Sequence, residues 1–242
     1  MVQEMLKGLF LFGLYFIVAA AILIAIRVFV NPPGELFRKM LHMVFVFSIL
    51  VLFYLFQTWF LATAAAIAFA IVVYPAICLV ERYPKVMSLL VQRQNGELKL
   101  SLTFAFLMMA ALITVFWGIL GEEWKFIIVT AFMAWGFGDA AAALMGKTLG
   151  KHHFKLPFVD NRKTIEGSLA MYVVSAVATF ITLSLYISLP WYWCLVTALV
   201  VSPIASFVEL VSKPGMDTVT VPFSVAGACF LTVLCIKYYG GF

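Results

Sequence analysis

An ionised carboxylate inside an apolar helix costs at least about 2.5–3.5 kcal/mol. Asp139 occupies such a position, in a run that leads from Gly136 through four consecutive alanines to Gly150. The nearest base along this helix is Lys147, about two turns on, so local pairing does not explain the acid and a functional role is the better reading. Ala142, Gly146 and Gly150 recur every four residues, a strip of small side chains that lets another backbone or a ligand approach closely. The stretch also fits a relaxed P-loop pattern through Gly146, Lys147 and Thr148. A working P-loop needs free N–H groups between a strand and a helix, whereas these amides belong to the tail of a continuous helix. That match is accidental.

Three further polar clusters accompany Asp139. Arg38 and Lys39 precede an apolar run that His42 enters one turn later. The segment 147–168 holds seven cations or potential cations in 22 residues, namely Lys147, Lys151, His152, His153, Lys155, Arg162 and Lys163. It leads through Thr164, Glu166, Gly167 and Ser168 into a helix, whose unpaired N–H groups and positive dipole suit a polyphosphate. Attraction to anionic lipid heads explains the loop as a whole equally well. Gly167 weighs toward a site because a glycine at a helix start has little packing merit. The adjacent His152 and His153 lack an evident third metal ligand. The fourth cluster runs from Glu209 to Asp217, Thr220 and Pro222. Asp217 also suits a helix N-terminus as a cap, while Glu209 lies at the unfavourable end of its helix dipole.

Asp139, Glu166, Glu209 and Asp217 thus fall toward the same ends of four helices, next to a cationic loop. Mg²⁺ commonly takes one or two protein carboxylates, with phosphate oxygens and water completing its shell. Phosphoryl transfer needs that metal, cations on the polyphosphate and a group that orients the attacking hydroxyl. A site that meets both the bilayer and the aqueous phase suits a lipid acceptor and a soluble nucleotide.

The elements that carry these residues are membrane spans. The chain has 242 residues, 65% apolar, 16% aromatic and 11% charged, where soluble domains have about 25% charged. This composition excludes a soluble enzyme, a disordered tail, a coiled coil and a secreted disulfide scaffold. The net charge of +5 is too small to imply nucleic acid. Cys78, Cys194, Cys229 and Cys235 sit in apolar runs without CxxC spacing and read as small hydrophobes.

Hydropathy gives an all-α, polytopic transmembrane bundle of eight spans near 8–30, 40–57, 59–80, 100–120, 124–146, 168–189, 191–211 and 219–239. The first run is longer than a signal-peptide core and is kept as a span. The whole chain reads as a single integral membrane domain, with loops near 31–39, 81–99, 147–167 and 212–218. Alternate loops divide the Lys and Arg residues thirteen to three. The rich side holds Lys85, Arg93 and the 147–167 loop; the poor side holds Lys7, Lys125 and Lys237. The positive-inside rule then puts both termini on the non-cytoplasmic side, where Trp59, Trp124, Trp191 and Trp193 crowd as an aromatic belt.

Four motifs, Arg-Lys-x-x-His at 38–42, Gly-Asp-x-x-Ala-x-x-x-Gly-Lys-x-x-Gly at 138–150, Lys-Thr-x-Glu-Gly-Ser at 163–168, and Glu209 with Asp-x-x-Thr-Val-Pro at 217–222, together resemble the polyprenol kinase family. That group comprises dolichol, phytol and farnesol kinases and CTP-dependent diacylglycerol kinases. The resemblance implies a bilayer-embedded enzyme of an endomembrane or the bacterial cytoplasmic membrane. It would move a phosphoryl group from a nucleotide, typically CTP with Mg²⁺, to a lipid alcohol at the cytoplasmic face. Carried over, Asp139, Glu166 and His42 are catalytic candidates, and Asp139, Glu209 and Asp217 are metal candidates. Arg38, Lys39, Gly146, Lys147, Gly150, Lys151, Lys163, Thr164, Gly167 and Ser168 are nucleotide-binding candidates. Division of roles among the four acids, the lipid's identity and the oligomeric state, with a homodimer among the options, stay open.

Two other readings compete. Phosphatidate cytidylyltransferases share the membrane plan and the use of CTP, but their long Asp-Arg-containing C-terminal signature is missing here. A transporter would carry ionisable groups along a path across the bilayer, whereas here they gather toward one face. The topology is checked with a reporter active only outside the cytoplasm. Fused to the C-terminal helix it is expected to be active, and inserted after Pro157 inactive; the opposite pattern would invert the assignment.

Overall fold

The computed structural model describes residues 2–83, 96–157, 159–213 and 215–240. Among these, regular structure is helical, apart from one isolated antiparallel bridge between His153 and Thr164. Among the described residues, eight helices are long and apolar enough to cross a membrane. Helices are the expected solution for an open-ended chain in hydrocarbon, because each satisfies its own N–H and C=O groups. The chain forms two compact units, Met1–Ile119 and Leu120–Phe242.

The first unit contains α1 (Val2–Phe29), α2 (Gly34–Leu55), α3 (Trp59–Val80) and α4 (Glu97–Leu112), which continues as a π-helical segment, Ile113–Ile119. Its core is aromatic. Phe12 meets Phe69 edge-on at 4.8 Å, and Phe106 meets Phe45 at 5.2 Å, the T-shaped geometry that ring quadrupoles favour. Glu81 and Lys99 pair at 2.7 Å. Lys85 and Arg93, counted in the topology, lie outside the described residues.

The helix α2 begins at Gly34 rather than near residue 40. Pro33 stands at its N-cap, where a missing N–H removes no helical bond and the fixed φ suits entry. Hydropathy missed this start because Glu35, Arg38 and Lys39 dilute the apolar run. Those residues, with His42, therefore lie within the helix. Arg38 pairs with Glu35 one turn before it, and Lys39 is only 5% exposed.

The second unit opens with a short 3₁₀ turn, Glu122–Trp124, followed by α5 (Lys125–Leu149), α6 (Ile165–Tyr186), α7 (Trp191–Val211) and α8 (Asp217–Gly240). Successive helices run antiparallel. Gly138 faces Met171 and Ser175 while Gly146 faces Thr164 and Gly167; Ser206 Oγ donates to Ser168 O at 2.8 Å; and Ser212 and Thr220 hydroxyls meet at 2.6 Å. The ends of α5 and α7 and the starts of α6 and α8 therefore share one end of the bundle. At the other end Trp124 packs on Phe230, and the Lys237 ammonium lies 4.5 Å from the Trp124 ring centre.

The small-residue strip of α5 is a helix seam. A Cβ on Gly167 would stand 2.9 Å from the Ala142 carbonyl oxygen and 3.4 Å from Gly146 Cα. Gly167 thus has the packing role its position at a helix start had seemed to lack: the tilt of α6 brings its first turn against the α5 backbone. Gly150, with φ −65°, has no need of a positive φ; a Cβ there would collide first with the Gly146 carbonyl oxygen and then with the Thr164 side chain.

This seam predicts a contrast between two Gly→Ala changes. Gly167→Ala is expected to lower stability by about 1–3 kcal/mol through overpacking against backbone. Gly227→Ala, whose added Cβ meets nothing within 4 Å, should be neutral or stabilise by about 0.5–1 kcal/mol. Thermal unfolding of the two variants in one detergent checks both, and equal melting shifts would contradict the seam.

Candidate active site

The polar end of the second unit is built first by the described residues between α5 and α6, which pair as a hairpin. Phe154 N–H donates to Lys163 O at 3.2 Å and Ile165 N–H to His152 O at 2.9 Å. Asp160 turns the tip, its side chain accepting from Arg162 N–H at 2.9 Å and its carbonyl from Lys163 N–H at 2.9 Å. Thr164 caps α6, its hydroxyl accepting from Gly167 N–H at 3.1 Å. The Glu166 carboxylate reaches back to His152, 2.7 Å from Nδ1 and 3.3 Å from the backbone N. The His152–Glu166 tie lay outside the sequence reading, since nothing in residue order shows a hairpin folding back onto the next helix.

Those bonds give several predicted residues structural work. The Thr164 hydroxyl caps, Glu166 anchors the hairpin, and Gly146, Gly150 and Gly167 let α5 and α6 meet. The Ser168 carbonyl accepts from Ser206 across to α7. The exposed Lys147 stands in the last turn of α5, where a cation suits the dipole, and Lys151, Lys155 and Arg162 project from the hairpin. α5 is continuous through 141–148, which leaves no P-loop cradle. Arg38, Lys39 and His42 belong to the first unit.

Lys163 differs from the other cations of its loop. Its ammonium lies 2.8 Å from Glu209 Oε1 and donates also to the Glu209 carbonyl, with the two side chains 18% and 12% exposed. One lysine thereby joins the threshold of α6 to the last turn of α7, satisfying an end carbonyl and a carboxylate that its own helix dipole disfavours. The pairing offers a reason for Glu209 that sequence position could not supply.

Two further acids stand on other helices of the same bundle. Asp217 opens α8. Asp139 is deeper than a helix-end position: α5 runs on to Leu149, placing the acid about 15 Å from the helix end, 9% exposed. Among the described residues, no three His, Cys, Asp or Glu side chains are arranged to hold a metal ion by themselves.

The Lys163–Glu209 bond can be tested by stability alone. Lys163→Met takes from the Glu209 carboxylate its cation, while the Glu209 carbonyl keeps the Ser212 N–H at 3.3 Å. A fully buried broken pair costs about 3–5 kcal/mol, and discounting for partial exposure leaves about 1–3 kcal/mol. Adding Glu209→Gln should recover much of the loss; additive losses in thermal or denaturant unfolding would exclude the coupling. In comparisons with protein-family models, curated proteins and solved structures, the chain matched none.

Proposed function

We propose that the protein is a nucleotide-dependent kinase that phosphorylates a membrane lipid alcohol, with CTP as the donor, at the cytoplasmic face. The observation that carries this reading is the half-buried Lys163–Glu209 pair at the polar end of the second bundle, with Asp217 opening the next helix, the buried Asp139 deeper on α5 and the exposed cations of the hairpin alongside. Apolar spans bring the acceptor, and the aqueous end admits the donor.

The chemistry divides among these groups. Lys147, Lys151 and Arg162 draw in the polyphosphate, and Lys163 turns from Glu209 to a phosphate oxygen, a stronger anion. Asp139 orients the acceptor hydroxyl and takes its proton as the oxygen bonds to the terminal phosphorus. The bond to the bridging oxygen breaks, and nucleoside diphosphate leaves. Mg²⁺ bound with the nucleotide would neutralise phosphate charge, held by oxygens of Asp139, Glu209 or Asp217. Glu166 acts through the hairpin that it anchors.

The assay is purified protein with CTP or ATP, Mg²⁺, and a panel of prenols and diacylglycerol, with lipid products identified. A phosphorylated lipid and nucleoside diphosphate are expected. Asp139→Asn should reduce turnover about 10²-fold or more while thermal unfolding stays close to the parent. A CDP-lipid with pyrophosphate would instead identify a cytidylyltransferase, and no product with any pair would overturn the proposal.

A further inference from the structure

A chain of hydroxyls joins the end of α7 to the start of α8. Ser212 Oγ lies 2.6 Å from Thr220 Oγ1 and 2.6 Å from the Val208 carbonyl oxygen, while Thr220 Oγ1 lies 3.0 Å from the Met216 carbonyl oxygen. Two hydroxyl hydrogens face three contacts, and the two short ones select the order. Thr220 donates to Ser212, which donates to Val208 O, an end carbonyl of α7. The Met216 carbonyl has no need of the Thr220 hydroxyl, because it accepts from the Val219 and Thr220 N–H groups at 3.0 and 2.9 Å. We propose that Ser212 and Thr220 are a positioning pair, whose bond fixes Asp217 relative to the Lys163–Glu209 pair for phosphoryl transfer; this rests on the kinase reading above.

The spacing supports this role. Glu209 precedes Ser212 by three residues, and Asp217 precedes Thr220 by three, nearly one helical turn in each case. Because α7 and α8 run antiparallel, the bonded pair stands between the two acids in depth. Glu209 lies about 4.5 Å to its inner side and Asp217 about 4.5 Å to its outer side along the helix axes. A slip of α8 along α7 would change that separation directly. The connecting loop is poorly placed to prevent one: Lys213, Gly215 and Met216 are exposed, and a Cβ on Gly215, at φ +85°, would meet nothing within 4 Å. The bond across the helix ends supplies a restraint that those loop residues do not.

The experiment uses the full chain in phosphatidylcholine vesicles and compares Thr220→Val, Ser212→Ala, their combination and Thr220→Ser. Each is followed by hydrogen exchange of peptides spanning 213–222 and by kinetics with CTP, Mg²⁺ and the best acceptor of the lipid panel. Thr220→Val and Ser212→Ala should each speed exchange at the start of α8 and lower kcat/KM for CTP about tenfold, with the folded state retained. The combination should be no worse than either change alone, and Thr220→Ser should match the parent in both readouts. Losses that multiply in the combination overturn the pair, because the two hydroxyls would then act independently. Thr220→Ser as impaired as Thr220→Val also overturns it, by assigning the effect to the methyl group. Faster exchange with unchanged kinetics rejects the positioning role and keeps the kinase. A parent that phosphorylates no lipid with any nucleotide rejects the kinase, and the catalytic role of the pair with it.

Discussion

Charge placed in membrane-spanning helices has to be compensated within the protein, because hydrocarbon offers neither counterion nor hydrogen bond. The polar end of the second bundle is arranged around that constraint. The Lys163 ammonium meets both the carboxylate and the backbone carbonyl of Glu209 in the last turn of α7. Lys163 and Glu209 are each tolerable there because the other is present.

The positions of those charges depend in turn on backbone approach. Gly138, Gly146 and Gly167 bring α5 and α6 into direct contact, and the same crossing sets the level at which Asp139 faces its neighbours. Van der Waals packing of small residues is the main source of helix association in lipid, so the seam supplies rigidity where the charged groups need fixed distances. The hairpin adds a second constraint. Its bonds through His152, Glu166 and Thr164 hold Lys163 at the threshold of α6 while exposed cations project from the same loop.

Much of this was legible beforehand. A 3.6-residue helix with its own hydrogen bonds is the only open-chain answer to long apolar runs, so the eight spans follow from composition, and α3 and α7 have the bounds hydropathy gives. The start of α2 was misplaced because polar residues in a first turn dilute hydropathy while the signal for entry, Pro33, is a backbone property. Asp139 was conspicuous from burial cost. The strip at Ala142, Gly146 and Gly150 was visible as a strip, yet its use as packing or as ligand contact was undecidable without the facing helix.

Sequence by itself determined the eight helices, the segregation of charge to alternate loops and the presence of an acid where an acid is expensive, since each depends on local residue type and on transfer energies that act one residue at a time. The tertiary structure decided what those residues touch: Lys163 with Glu209 across 46 positions, Glu166 with a histidine in the preceding hairpin, and Gly167 with the Ala142 backbone. Pairings of this kind depend on helix register and crossing, which arise from the joint packing of all four helices and are written in no single segment.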